Sequence, residues 1–270
     1  MQAYSLKTEY LNNPLGIDVL CPKFFWKCRA EGEDRYQSAY RLEARREDGS
    51  VLWDTSKIES NQTTHILYGG EPLKSRMRVN WRVKLWDEHD LEGEWSEYAW
   101  FEIGLVTPSD WSATWVSAPF IPSKKNRYPA DYFQKQFYVE HSIKKARLYA
   151  TACGLYTARI NGTHAGEDRF APGFTDYAKR LQYQTYDVTS LLRVGENTLD
   201  FTLGDGWFRG KIGAYGKRCA YGTRTMFYAQ LEITLDDGTV RTINSDRTFR
   251  WSNDGPIREN DMQDGEVYDT

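Results

Sequence analysis

The sequence has few cysteines and histidines, no long apolar run and no excess of charge of one sign. No stretch approaches the ~20 consecutive apolar residues of a membrane span. The N-terminal segment lacks the apolar stretch of a secretory signal. The cysteines, Cys21, Cys28, Cys153 and Cys219, form no CxxC pair, which indicates reduced thiols. We therefore expect a cytoplasmic protein that does not bind a membrane.

The sequence also lacks the signatures of several other functional classes. The 35 basic and 38 acidic residues are well mixed and form no basic stripe, which argues against nucleic acid as a partner. The histidines are scattered, so we expect no transition-metal site. There is no GxSxG elbow and no P-loop. Glycosidase chemistry needs two carboxyls about 5–9.5 Å apart across a cleft, and no acidic pair is marked out, so the residues alone predict no catalytic site.

What the sequence does contain is aromatic residues, at 15%, and segments in which apolar and polar residues alternate. This period of two is typical of a strand with one buried face. Residues 77–85 follow it, and residues 227–235 repeat it before the hairpin signal Asp236-Asp237-Gly238. Residues 47–50 give a second hairpin signal, and only short segments such as 188–192 favour helical turns. The pattern predicts an all-β protein.

The strand signals also predict two domains. Residues 1–106 hold roughly seven candidate strands, which is typical of a fibronectin type III or immunoglobulin-like sandwich. Residues 107–117 are predicted to be a linker, with Trp111 and Trp115 attaching it to the second domain. Residues 118–270 have longer strands and wider loops, which favours a jelly-roll β-sandwich.

The sharpest motif is the glycine-rich segment 204–210. Its three glycines permit a positive φ or a close backbone approach, so that Asp205, Trp207 and Arg209 can project from one turn. One interpretation is a sugar platform, in which Trp207 stacks on the sugar and Asp205 or Arg209 binds hydroxyls. The alternative, favoured because the motif has no partner, is a packed corner in which Trp207 points inward and Arg209 pairs with Asp205.

A second group of turns is predicted at residues 161–162 and 172–173. Asn161-Gly162 has the composition of a type I′ hairpin turn, and Pro172-Gly173 that of another turn. Asn161, Asp176 and Tyr177 are candidate ligands for a sugar or for a calcium ion at these tips. No dense run of oxygen ligands resembles an EF-hand loop, so we expect no cofactor and keep calcium as the lesser option.

Motifs along nearly the whole chain form one ordered set. The N-terminal part contains Asn13-Pro14-Leu15-Gly16-Ile17-Asp18, Phe25-Trp26, Gln37-Ser38-Ala39-Tyr40-Arg41-Leu42 and Trp53-Asp54-Thr55. The later part contains the segments 156–162, 172–177, 183–189 and 204–210 and closes with Gly265-Glu266-Val267-Tyr268-Asp269. This set resembles the bacterial α-L-rhamnosidases, the family 78 glycoside hydrolases. The first motifs match the family's opening and fibronectin-type module, the next its N-terminal β-domain, and the last the segment ahead of the next domain.

The resemblance implies an enzyme that removes terminal α-L-rhamnose from glycosides with inversion, using two glutamates on an (α/α)6 barrel. That barrel would begin after residue 270, so no catalytic residue is assigned and the chain alone is expected to be inactive. Its expected partners are rhamnose-containing glycosides and the missing C-terminal barrel. Two alternatives remain open: a stand-alone carbohydrate-binding or interaction module, and an independent small hydrolase with an unrecognised carboxylate pair.

Overall fold

The computed structural model describes residues 1–269 and divides the chain into two compact units, Met1–Trp111 and Ser112–Thr270. Both units are built from strands. Within the described residues the helical structure is one short α-helix, α1 (Gly206–Arg209), and two 3₁₀ turns, Pro108–Asp110 and Thr189–Leu191. This confirms the predicted all-β fold class. No helix in the described part of the chain has the length and apolar character needed to cross a membrane.

The first unit is a sandwich of two sheets. Its strands are β1 (Gln2–Thr8), β2 (Leu15–Ile17), β3 (Lys23–Arg29), β4 (Gln37–Arg46), β5 (Val51–Asp54), β6 (Ile58–Glu59), β7 (Ile66–Leu67), β8 (Arg78–Asp87) and β9 (Ala99–Ile103). One sheet has the order β1-β3-β7 and the other β2-β9-β8-β4-β5, with β6 paired to β4. The predicted hairpin at 47–50 joins β4 to β5, and Gly49 takes the positive φ of its turn (85°).

The core of the first unit lies between these sheets. The alternation predicted for 77–85 places Val79, Trp81, Val83 and Leu85 of β8 on one fully buried face. Phe24 of the opposite sheet packs on Trp81, with ring centroids 4.4 Å apart. The polar edge of Trp81 is satisfied, because its Nε1 donates to Thr8 Oγ1 over 3.1 Å. The two inner faces therefore form one aromatic core.

The second unit contains two five-stranded sheets. Its strands are β10 (Val116–Ser117), β11 (Asp131–Val139), β12 (Ile143–Cys153), β13 (Leu155–Ile160), β14 (Thr163–His164), β15 (Gln184–Asp187), β16 (Gly195–Gly204), β17 (Lys211–Ile212), β18 (Lys217–Arg218), β19 (Met226–Leu235), β20 (Val240–Asn244), β21 (Arg250–Ser252), β22 (Ile257–Asp261) and β23 (Gly265–Tyr268). One sheet has the order β10-β19-β12-β15, with β20 paired to β19, and the other has the order β14-β13-β16-β11-β21. Strands β17–β18 and β22–β23 form separate hairpins.

Both large sheets bury one face in a common core. Leu148 of β12 and Leu231 of β19 come from the first sheet, and Phe201 of β16 comes from the second. Phe201 stacks on Phe227 of β19, with ring centroids 4.4 Å apart. The hairpin predicted at 236–238 connects β19 to β20, with Gly238 at a φ of 84°. This packing of two sheets is the sandwich predicted for the second domain.

The residues predicted as a linker, 107–117, are divided between the units. The 3₁₀ turn Pro108–Asp110 belongs to the first unit, where Asp110 accepts hydrogen bonds from Ser75 Oγ (2.6 Å) and Arg76 Nη1 (2.8 Å). In the second unit, Thr114 N donates to Ser245 O over 2.9 Å, and β10 pairs with β19. The Trp115 ring lies 5.3 Å from that of Tyr228. The second unit thus begins ahead of residue 118.

Candidate functional site

The glycine-rich segment forms the end of β16 and the one-turn helix α1. Gly206 has a φ of 52°, and a Cβ there would lie 2.7 Å from Leu155 Cγ. A Cβ on Gly210 would lie 2.5 Å from Gly206 O. Both positions therefore require glycine, which lets the chain turn sharply from the sheet into α1.

The turn brings Asp205 and Arg209 together inside the protein. Arg209 Nε donates to Asp205 Oδ1 over 2.6 Å, and each residue is 2% exposed. Arg218 of β18 donates from Nη2 to the other oxygen, Asp205 Oδ2, over 2.9 Å. Burial raises the pKa of the Asp205 carboxyl, and the adjacent guanidinium groups of Arg209 and Arg218 oppose that rise. Arg209 and Arg218 both bond to Asp205. For Asp205 and Arg209 to bind sugar hydroxyls as predicted, this buried ion-pair network would have to open.

Further buried carboxylates extend the same network. Arg218 Nη1 also donates to Asp261 Oδ2 over 3.2 Å, and that oxygen accepts the backbone N–H of Lys211 over 2.9 Å. Asp131 Oδ2 lies 3.8 Å from Arg209 Nη1, and Asp131 accepts hydrogen bonds from Thr225 Oγ1 (2.7 Å) and Trp251 Nε1 (3.0 Å). The ion-pair network therefore ties α1 and the hairpin β17–β18 to the hairpin β22–β23. Sequence reasoning missed Arg218 and Asp261 because they are far from the motif along the chain.

Trp207 and Tyr177 lie close to this corner, in contact with other rings. Trp207 is half-buried, with its ring 6.3 Å from that of Phe170 and 5.8 Å from that of Phe174. We call Phe170, Phe174 and Trp207 the aromatic cluster. Tyr177 packs on Phe208 of α1 at 5.3 Å, and burial raises the pKa of Tyr177 to about 12. The fold thus brings Trp207, Asp205, Arg209 and Tyr177 into one region.

Asp176 lies on the surface beside Tyr177, whereas Asn161 lies far from that region. Asp176 is exposed and accepts the backbone N–H of Ala178 over 3.2 Å. Asn161 turns β13 into β14, with a φ of 52° followed by 83° at Gly162, which confirms the predicted type I′ geometry. Strand β13 pairs with β16 from Leu155 to Ile160, so Asn161 and the glycine-rich segment lie at opposite ends of β13, roughly 20 Å apart.

The side chain of Asn161 is fully engaged within its own domain. Its Nδ2 donates to Leu191 O (2.9 Å) and to Asn197 Oδ1 (2.8 Å), and its Oδ1 accepts from Thr198 N (2.9 Å). These bonds close the hairpin onto the 3₁₀ turn and β16. Over residues 1–269, no cluster of three or more His, Cys, Asp or Glu side chains is arranged to hold a metal ion.

A cavity of about 370 Å³ borders the ion-pair network. Asp205 and Asp261 form part of its wall, Leu155 and Thr202 lie at the ends of β13 and β16, and the hairpin β22–β23 supplies the other side. A second cavity, of about 230 Å³, is lined by the segment 164–171 and by Tyr186 of β15. Phe170 lines both cavities.

Comparison with known proteins identifies the family. Residues 141–270 match the α-L-rhamnosidase N-terminal domain, and residues 3–107 match the Rha78A-like N-terminal immunoglobulin domain. The chain corresponds to the N-terminal β-domains of the α-L-rhamnosidase family. This confirms the resemblance seen in the sequence motifs.

Bacterial relatives match the chain over almost its full length. An α-L-rhamnosidase of Formosa agariphila is 36% identical over 97% of this chain and 30% of its own length. One from Alteromonas sp. strain LOR is 36% identical over 98% of this chain and 30% of its own length. The chain thus spans about a third of these curated relatives.

Solved structures give the same result. The native α-L-rhamnosidase from Aspergillus terreus superposes with a TM-score of 0.92 at 33% identity, over 99% of this chain and 31% of that one. The Streptomyces avermitilis α-L-rhamnosidase complexed with L-rhamnose gives a TM-score of 0.87 at 25% identity, over 99% of this chain and 42% of that one. The similarity therefore covers both β-units.

Proposed function

We propose that this chain is the accessory part of an enzyme that hydrolyses terminal α-L-rhamnose from glycosides with inversion. The observation that carries the proposal is the match of both units to N-terminal domains of α-L-rhamnosidases, while the chain spans 30% of the length of the Formosa agariphila and Alteromonas relatives. The remaining length in those relatives is enough for a separate catalytic domain. The (α/α)6 barrel implied by the resemblance would supply the two catalytic glutamates.

The buried carboxylates of the second unit support a non-catalytic role. Inverting hydrolysis needs one carboxyl to protonate the leaving oxygen and another to activate a water. Asp205 accepts hydrogen bonds from Arg209 and Arg218, while Asp261 accepts from Arg218 and from backbone N–H groups. Because both carboxyls make these bonds and both residues are 5% exposed or less, neither carboxyl is placed to exchange a proton with a substrate.

The exposed rings support a bracing role toward the catalytic domain. Phe174 is 57% exposed and Tyr215 is fully exposed, and neither ring lines the two cavities. Exposed apolar patches mark contact sites, and the Phe174 ring forms such a patch with the half-buried Trp207 ring, 5.8 Å away. In the longer enzyme we assign this surface to contact with the catalytic barrel. The second candidate function, a stand-alone carbohydrate-binding module, is favoured by the cavities beside Phe170.

The experiment starts from the DNA downstream of codon 270. We expect an open frame with helical periodicity, whose full product releases L-rhamnose from nitrophenyl-α-L-rhamnoside. NMR should detect the inverted anomer, β-L-rhamnose, first. Deleting residues 1–270 from the full-length enzyme should lower its thermal midpoint, and Phe174→Ala in the full-length enzyme should lower it to a smaller degree. A frame that stops at codon 270 would contradict the proposal and favour the stand-alone module.

A further inference from the structure

Two of the cavities in the second unit are adjacent and share one wall. Tyr156, Thr157 and Phe170 line both of them. We call the two cavities together the Phe170 cleft. The larger, at about 370 Å³, falls within the size range of small-molecule sites, and the smaller, at about 230 Å³, adds a second compartment. Such a cleft suits an elongated ligand that has two units.

The ring between the compartments is held in an unusual position. Phe170 is 61% exposed and has a φ of 57°, a left-handed conformation that is rare for a bulky residue. Backbone strain of this kind is retained where the surrounding structure imposes it, and it clusters at ligand-binding sites. The strain leaves an apolar ring facing solvent between two cavities, instead of burying it in the core.

Polar groups with hydrogen-bonding capacity surround the ring on both sides. In the larger cavity Thr157 and Thr202 are directly paired across β13 and β16, and Glu266 lies exposed at the rim. In the smaller cavity Asp168 and Arg169 are exposed, and both are charged. Carboxylate and guanidinium groups form strong charge-assisted hydrogen bonds with hydroxyls, and the hydroxyls of threonine both donate and accept.

We propose that the Phe170 cleft binds a neutral oligosaccharide, with adjacent pyranose units in the two compartments and one apolar sugar face on the Phe170 ring. The chemistry matches: a pyranose combines an apolar face with a rim of hydroxyls, and the cleft combines a flat ring with polar walls. Aromatic side chains supply apolar area at low entropic cost. The glycine-rich segment lines the larger cavity through Gly204, Asp205 and Gly206, but the proposed contacts are made by Phe170, Thr157 and Thr202 and not by Trp207 or Arg209.

The choice of a rhamnose-terminated glycan as the ligand rests on the proposed function. The probe is therefore the disaccharide α-L-rhamnosyl-(1→6)-D-glucose, titrated into the isotopically labelled 270-residue chain and followed by NMR, with and without calcium. We expect the amide resonances of Thr157, Phe170 and Thr202 to shift with a dissociation constant on the order of millimolar, as for weak open sites. Calcium should leave the shifts unchanged.

Matched variants separate stacking on Phe170 from general surface effects. Phe170→Ala should weaken binding about tenfold and Phe170→Trp should restore it, because the indole keeps the flat apolar face. Phe174→Ala is the control: Phe174 is similarly exposed, at 57%, and belongs to the same aromatic cluster, but it lines neither cavity. The affinity of the Phe174→Ala variant for the disaccharide should equal that of the unmodified chain, and all variants should keep the same thermal midpoint.

Three results would overturn the inference. The first is an absence of shifts near Phe170 at tens of millimolar disaccharide. The second is equal weakening by Phe170→Ala and Phe174→Ala. The third is a shift map centred on Asn161 or another distant site. These outcomes are independent of rhamnosidase activity in the longer enzyme, so failure of the glycan site is distinguishable from failure of the proposed function.

Discussion

Arg209 and Asp205 form a salt bridge of 2.6 Å across one helical turn, with each side chain 3% exposed or less. Arg218 binds the second oxygen of the same carboxylate, so Asp205 is held from both sides. Removing one partner of a buried pair leaves a charge without compensation, which costs far more than breaking a surface ion pair. The pair therefore fixes the corner between β16 and α1.

The first prediction concerns the stability that this pair provides. Arg209→Met should lower the free energy of unfolding of the second unit by about 3–5 kcal/mol, because Asp205 and Asp131 lose a buried cationic neighbour. The measurement is urea unfolding followed by tryptophan fluorescence. The control is Arg250→Met, where the arginine is exposed on β21 and the change should stay within about 0.5 kcal/mol. Equal effects of the two substitutions would show that the network does not stabilise the corner.

The second prediction assigns a structural role to Asn161. Asn161→Ala removes three hydrogen bonds at the β13–β14 turn and should cost about 2 kcal/mol or more, since Thr198 N and Leu191 O lose their partner. Thr163→Ala, at an exposed position two residues further on, is the control and should be nearly neutral. Thermal unfolding measures both. A neutral Asn161→Ala that weakens sugar binding would instead support the ligand role predicted from sequence.

The hairpins and core strands could be predicted from sequence because their causes are local. The alternation at 77–85 and 227–235 sets which side chains are buried, and Gly49, Gly162 and Gly238 mark turns that need a positive φ. The two-residue strands β6 and β7 carry no period long enough to detect. Their pairing depends on neighbours that are distant in sequence.

The arrangement around the glycine-rich segment was harder to predict, for the same reason. Local spacing suggests that Asp205 and Arg209 meet, but Arg218 and Asp261 join them only through the folded hairpins β17–β18 and β22–β23. Phe170 lies outside any alternating pattern, and its position between two cavities follows from tertiary contacts. Sequence composition therefore indicated the aromatic character of the region but did not locate the cleft.

The third prediction concerns where the second unit begins. A fragment of residues 112–270 should melt cooperatively, and at a midpoint about 5–10 °C above that of residues 118–270. The shorter fragment loses β10, whose residues pair with Phe227 and Met226, together with the bond from Thr114 N to Ser245 O. Differential scanning calorimetry measures both. Identical midpoints would mean that residues 112–117 contribute nothing, and an unfolded longer fragment would mean that the unit needs its neighbour.

The most direct test of the account is the activity of the 270-residue chain itself. The chain is incubated with nitrophenyl-α-L-rhamnoside beside two variants, Asp205→Asn and Asp261→Asn, and nitrophenol release is followed by absorbance. We expect no nitrophenol release above the enzyme-free blank, because these carboxylates already accept hydrogen bonds from buried arginines and backbone N–H groups. Release by the unmodified chain that a single Asp or Glu substitution abolishes would contradict it and make the chain a rhamnosidase in its own right.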